Sequence, residues 1–463
     1  MKISKGLAVV VCLGLLFIPQ RAWAHAHLKR SDPSAGSSVA IAPQMIRFWF
    51  SERPELLMTS ISLRDARGQG FTLGPAERQG ADPLAIAVRV LRPLPPGRYT
   101  VTWRTAASDG HPSRGVFSFT VLSTAALPAS SSTPINSASD TIRYSGTIDA
   151  SSTVESLDDD TGASAGIANS LARTFSFLGL LLLIGVTTFR SLVLSRARGI
   201  SAGVSSEMQR RAALLGVTAS VVLILSAFAR IFLESQMMSA MPGMQTMSMA
   251  DMAMHTQWGI GLRLALGAAF VAMVALTLAA RGFRGGWLIA SIMAIALALS
   301  PALAGHAAAS PRFTSLLVAT DFLHVLGAAS WLGTLFTLVV IGISSSLALD
   351  GTERWSSIAS LVNSFSPLAL LSAGVVVASG VAASWVHLEH VASLWQTAYG
   401  QVLLLKLLLV AITLTIGAYN FRRVQPQLVN ETGSLRLRQS AAIELSVAFL
   451  VLIVTGFLTG ISP

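Results

Sequence analysis

From about residue 170 onward the chain is a succession of apolar runs, each roughly 20 residues long, the length at which an α-helix crosses a bilayer. A soluble core cannot absorb so many consecutive apolar residues, so this half of the chain belongs in lipid before any other feature is considered. Composition agrees, since 52% of the 463 residues are hydrophobic and only 12% are charged. The runs predict an all-α membrane domain over 170–463 with eight helices, at 171–194, 212–234, 259–280, 286–304, 314–343, 366–388, 398–420 and 440–461.

The loops orient these helices. Arg196, Arg198, Arg210 and Arg211 follow the first, Arg281 and Arg284 the third, and Arg422, Arg423, Arg436 and Arg438 the seventh. Those loops share one side, which the positive-inside rule makes cytoplasmic. The loop after the fifth helix (Asp350, Glu353, Arg354) carries no such bias. An even number of helices then returns Pro463 to the outside, together with the amino-terminal domain. In a multi-pass membrane protein, the net charge of +11 sets topology and does not call for nucleic acid.

Residues 1–24 have the three parts of a secretory leader. Lys2 and Lys5 give the positive start, Leu7 to Phe17 the apolar run, and Ala22-Trp23-Ala24 the small-x-small cleavage site. Cleavage after Ala24 makes His25 the first residue, whose α-amine and imidazole can close a chelate ring on one metal. The only cysteine, Cys12, lies in the leader behind three valines, where a lipid anchor needs a small residue. The mature chain therefore has no disulfide, no zinc–thiolate site and no cysteine nucleophile. Any metal falls to histidine, methionine, carboxylate or the amino terminus.

Residues 25–123 read as a small β-domain, a sandwich or barrel. Met45 to Phe50, Thr59 to Leu63, Ala85 to Val90, Tyr99 to Trp103 and Val116 to Val121 are β-rich runs, several alternating with period two. Residues 124–169 are rich in Ser, Thr, Ala and Asp and are expected to be a flexible linker.

All eight histidines (His25, His27, His111, His255, His306, His324, His387 and His390) fall on the external side or in the outer half of a helix. Met237, Met238, Met241, Met244, Met247, Met249, Met252 and Met254 crowd the external loop between the second and third helices, eight of the fourteen methionines in the chain. Thioethers suit Cu(I) and imidazole suits Cu(II), so this pattern favours copper in an oxidising compartment. An adaptable hydrophobic loop is the competing reading of the methionines.

Ser108-Asp109-Gly110-His111-Pro112 follows the strand of Val101 and Trp103. Asp109 and His111, combined with a terminal His25, supply two imidazoles, an amine and a carboxylate, a tetragonal set of the kind Cu(II) prefers. The stretches His25-Ala26-x-Leu28-x-x-Ser31-x-Pro33, Phe48 to Ser51, Tyr99-x-Val101-x-Trp103-Arg104 and Ser108 to Pro112 resemble the periplasmic copper-binding family CopC. The resemblance implies an immunoglobulin-like β-sandwich that binds Cu(II) through His25, Asp109 and His111. With only Met45 and Met58 here, the Met-rich Cu(I) site of some CopC proteins is expected to be absent. His27 is either a fourth nitrogen ligand, on the face of His25, or an exposed surface residue.

The membrane half contains ionisable groups that hydrocarbon disfavours: Asp321 and His324, three residues apart on one face of the fifth helix, and Lys406 on the seventh. Asp321 and Lys406 stand at similar depths, which permits an ion pair. His306, His387 and His390 end the fourth and sixth helices on the outer side, where with Asp321 and His324 they could accept a metal. Gly305-His306-Ala307, Asp321-x-x-His324-x-Leu326-Gly327-Ala328-x-x-Trp331-Leu332-Gly333, Phe365-Ser366-Pro367, Tyr399-Gly400 with Lys406, and Gly417-Ala418-x-Asn420 resemble the copper-resistance membrane family CopD. CopC joined to CopD is the arrangement of the YcnJ-like copper proteins, and it implies copper capture outside and copper movement at the membrane. Other periplasmic copper proteins are then expected partners. No Gly-rich Lys-Ser/Thr phosphate loop is visible, so ATP is not the expected driving force. The alternative class is a copper- or haem-dependent membrane redox enzyme, which the carboxylate of Asp109 and the lack of depth-matched buried histidines both disfavour.

Overall fold

The computed structural model describes residues 28–106, 112–123, 160–239, 249–305, 314–387, 391–427 and 431–460, in two compact units. In the first, nine strands form two sheets: β1 (Leu28–Asp32), β2 (Ser38–Val39), β3 (Met45–Phe50), β4 (Ser60–Asp65), β5 (Gly70–Phe71), β6 (Glu77–Arg78), β7 (Ala85–Arg89), β8 (Gly97–Ala106) and β9 (Pro112–Val121). One sheet has the order β1-β3-β7-β6 and the other β2-β9-β8-β4-β5. This is a β-sandwich, and the barrel alternative falls away.

Alternation explains which faces meet. Ile46, Phe48 and Phe50 point inward from β3, and Tyr99, Val101 and Trp103 point inward from β8. Across the sheets Phe48 meets Phe117 edge-on at 5.9 Å and Phe50 meets Trp103 at 5.2 Å. Such aromatic pairs add about 0.5–1.5 kcal/mol beyond the area they bury. Gly115, opposite Trp103 in the β8–β9 register, has no alternative residue, because a Cβ there would sit 2.5 Å from the indole ring. Tyr99 donates its hydroxyl to the Pro95 carbonyl at 2.6 Å, and burial, with the Asp65 carboxylate nearby, holds that phenol above its usual range.

The second unit is helical, with eight helices long and apolar enough to span a membrane: α1 (Gly166–Leu194), α2 (Ala202–Gln236), α3 (Trp258–Ala280), α4 (Gly285–Ala304), α5 (Thr314–Leu347), α6 (Gly351–Trp385), α7 (Ala398–Gln427) and α8 (Arg436–Leu458). All eight expected helices are present, but several run further at the arginine-rich end than hydropathy indicates. In α2 that extension is polar and held by Glu207, which meets Arg211 at 2.7 Å and Arg210 at 3.7 Å, one turn along. Helix also begins at Asp160, so the end of the expected linker is already helical. Thr256 and Thr397 cap the starts of α3 and α7, accepting from the Gly259 and Gly400 N–H groups at 3.0 Å each.

Packing centres on α1 and α5. A Cβ on Gly333 would lie 2.0 Å from the Leu181 carbonyl oxygen, and one on Gly185 2.1 Å from the Gly333 carbonyl carbon, so only hydrogen fits at this crossing. Between helices in lipid, such close approach replaces the hydrophobic effect as the source of affinity. At the opposite end from the arginines, Arg173 of α1 and Glu234 of α2 form a buried pair at 3.5 Å, to which Asn169 adds a hydrogen bond of 2.6 Å.

Gly333→Ala should destabilise the membrane domain by about 1–3 kcal/mol, the usual cost of overpacking. Gly374→Ala on α6 is the control, because nothing lies within 4 Å of its added methyl. Thermal unfolding in detergent should show a lowered midpoint for the first variant alone. Equal midpoints would mean that the α1–α5 crossing is not the tight contact described.

Candidate functional site

The β-domain ligands inferred from the sequence, His25, His27, Asp109 and His111, lie outside the described residues, but the segments that flank them are placed. β1 begins at Leu28, which pairs with Phe50 at the end of β3. β8 and β9 pair without a break up to Ala106 and Pro112, on either side of residues 107–111. The short stretch after β3 joins these two places: Glu55 N–H donates to the Ala106 carbonyl at 2.9 Å, and the Thr59 and Thr105 hydroxyls meet at 2.8 Å. The start of β1 and the loop end of the β8–β9 hairpin therefore share one end of the sandwich.

In the membrane domain the fold brings α5, α6 and α7 together around His324. Its Nδ1 lies 3.0 Å from the Ser379 hydroxyl of α6. Ser379 donates its single proton to the Val375 carbonyl at 2.6 Å, so it accepts from the imidazole. The ring also hydrogen-bonds the Val376 backbone, and an imidazole that donates from Nδ1 binds a metal through Nε2. Asp321, one turn earlier, interacts electrostatically with Lys406 and Tyr399 of α7, and Lys406 also acts on His324. Asp321 and Lys406 thus act on one another electrostatically, while Ser379 on α6 and Tyr399 on α7 join the same region. Tyr399 was legible only as part of a sequence motif, and Ser379 had no signal of its own.

His306 and His390 lie outside the described residues, and His387 is placed by its backbone alone, as the last residue of the helix Gly351–His387. Among the described residues, no three His, Cys, Asp or Glu side chains gather as a metal site. The methionine-rich segment is not simply a loop. Met237 and Met238 continue the helix Ala202–Ser239, and Met249, Met252 and Met254 belong to a short helix, Met249–His255. Arg263 ties that short helix to α3 by donating to the Ala253 and Met254 carbonyls. Met254 is exposed, and His255 stands 3.8 Å from Asp251 one turn away. Met241, Met244 and Met247 lie outside the described residues.

One buried acid escaped the sequence reading. Glu444 of α8 is 3% exposed, accepts from Asn420 Nδ2 of α7 at 2.9 Å, and also accepts a hydrogen bond from the Trp331 indole of α5. Its signal was an acid inside an apolar run, the kind of position that marks function by default.

Three family models match consecutive parts of the chain: the CopC domain over residues 28–122, the copper resistance protein D-like N-terminal domain over 163–311, and copper resistance protein D over 359–458. The chain belongs to the CopC–CopD family. Copper transport protein CutJ of Bacillus subtilis is 24% identical over 456 residues, which cover 97% of this chain and 77% of CutJ. Copper resistance protein C of Escherichia coli is 37% identical to the CopC domain over 106 residues, 22% of this chain and 83% of that protein. The crystal structure of PcoC, a methionine-rich copper resistance protein from Escherichia coli, aligns at 36% identity over 21% of this chain and 99% of its own, with a TM-score of 0.19. Asn420, Lys406 and Glu444 fall within the CopD match, whereas α5, with Asp321, His324 and Trp331, lies between the two CopD-type matches.

Removing one of two interacting opposite charges inside a membrane domain costs more than removing both. Lys406→Met should therefore destabilise the CopD domain by up to about 3 kcal/mol, and Asp321→Asn in the same chain should restore much of the loss. A double-mutant cycle by thermal unfolding checks this. Strictly additive effects would mean that Asp321 and Lys406 do not interact.

Proposed function

We propose that the chain captures Cu(II) outside the membrane with its CopC domain and moves copper through its CopD domain. The observation that carries this reading is the presence of both domains on one chain, aligned along nearly its full length with a protein named for copper transport. Cleavage after Ala24 frees the α-amine of His25. That amine, the His25 imidazole, Asp109 and His111 then form the Cu(II) site, with His27 at its edge. Support comes from the sandwich, whose described flanks of both segments meet at one end.

Copper released from that domain passes to Asp321 and His324, with His306, His387 and His390 above them and the methionine-rich segment as a Cu(I) acceptor. The imidazole of His324, held by Ser379, fits a ligand role. The arginine-rich loops place that end of the helices in the cytoplasm, so the CopC domain and Pro463 are periplasmic. A site that holds a carboxylate and a terminal chelate suits capture and hand-over of the ion, and the chain acts as a carrier.

Two measurements test this. The CopC domain beginning at His25 should bind Cu(II) tightly, and one extra residue before His25 should weaken binding roughly 100-fold, about 2.8 kcal/mol, because the amine becomes an amide. Titration calorimetry that returns equal affinities would sink the terminal-chelate site. Cells expressing Asp321→Ala or His324→Ala, at wild-type protein levels, should match cells without the protein in copper content. Wild-type copper content in both would remove these residues from the path.

A further inference from the structure

The opposite charges of Asp321 on α5 and Lys406 on α7 offset one another, but a second polar site deeper in the same helices has no such balance. Asp321 and His324 stand about 10–15 Å below the outer end of α5, whereas Trp331 lies seven residues further, about 10 Å deeper on the same face. There Trp331 and Asn420 both donate to Glu444, so three helices again converge, now toward the arginine-rich end. Position 417 closes the site: a Cβ on Gly417 would stand 3.4 Å from Glu444 Oε1 and 3.7 Å from the Trp331 ring.

Both donors to Glu444 sit where a helix departs from regular geometry. Trp331 belongs to a π-helical turn, Ala329–Gly333, and Asn420 opens another, Asn420–Val424. Such turns cost hydrogen-bond regularity and recur at functional positions. Here two of them aim their side chains at one carboxyl group.

The charges around this group leave it uncompensated. Among the described residues no salt bridge reaches Glu444. On α7, Lys406 lies in the outer half with Asp321 and His324 of α5, and Arg422 and Arg423 are exposed at the arginine-rich end. Arg436 and Arg438 of α8 are exposed at that end too, as is Glu353 of α6, while Arg190 of α1 is half-buried. The Trp331 and Asn420 donors are neutral, and Asn420 Oδ1 is itself buried without a hydrogen bond. A buried carboxylate with only neutral donors needs a cation, and a proton is the smallest one.

We propose that Glu444 is a proton-binding site of the membrane domain, loading and releasing a proton from the arginine-rich side as copper moves. The step forms and breaks one carboxyl O–H bond and involves no electron transfer. It gives the proposed copper transport, on which this inference rests, a coupling ion.

The test uses the full-length protein in liposomes, with copper uptake and internal pH followed together. Wild type should move protons with copper, and Glu444→Gln, which keeps the shape without the titration, should lose the proton signal. Unchanged proton movement in Glu444→Gln overturns the assignment. Copper movement without any proton movement in wild type also overturns it, and leaves the transport reading intact; no copper movement at all defeats both. If Glu444→Gln fails to assemble, the wild-type protein is treated with dicyclohexylcarbodiimide, which modifies protonated carboxyls in apolar surroundings. Mass spectrometry should find Glu444 labelled, less so as pH rises. Absence of label from mildly acidic to mildly alkaline pH overturns the proposal.

Discussion

The crossing of α1 and α5 at Gly185 and Gly333 is the contact on which the membrane domain depends. In lipid, apolar surface gains little by leaving hydrocarbon, so helices associate where their backbones can approach. Two glycines facing each other permit a separation that any side chain would prevent. The consequence is visible in burial: 67% of the apolar window of α5 and 61% of that of α1 is covered by other helices, against 22% for α6 and α7. α5 is thereby held at the centre of the bundle. It is also the helix that carries Asp321, His324 and Trp331, so a packing constraint places the polar side chains.

Each polar site then draws its remaining groups from helices beside α5. Ser379 of α6 fixes the His324 ring, while Lys406 and Tyr399 of α7 face Asp321. Deeper in the bundle, Asn420 of α7 and Trp331 of α5 both donate to Glu444 of α8. A polar group inserted into lipid costs roughly 2.5–3.5 kcal/mol, and converging several of them on one protein-lined locus lowers that cost for all. The tight α1–α5 crossing and the polar clusters are thus parts of one solution.

Much of this architecture is legible in the sequence. The eight helices follow from apolar runs, and β3 from an alternation that the structure reproduces residue by residue. What is not legible has specific causes. β1, Leu28–Asp32, buries only Ser31, so its place in the sheet comes from backbone pairing with β3 and leaves no hydrophobic pattern. Helix ends such as that of α2 are polar and lie beyond the reach of hydropathy. Glu444 is masked because one acid barely changes the mean of a long apolar window. Trp331, Gly417 and Asn420 stand out only as motif letters, and their common purpose appears once the helices are folded. Ser379, a serine in a serine-rich helix, becomes informative only through its distance to His324.

Charge balance separates the two polar sites by what each can hold. A metal cation arriving at His324 finds Asp321 already shared with Lys406, and it is repelled by the ammonium that also acts on the imidazole. Binding there is weaker than at a carboxylate with no cation beside it. Under the proposed function this suits a point of passage, because a carrier needs sites favourable enough to enter and weak enough to leave. Glu444 has no such competitor among the described residues, and its two donors are a neutral indole and a neutral amide. A proton that binds its carboxyl therefore meets no fixed cation, and with Gly417 packed against both Glu444 and Trp331 there is little room for a larger ion.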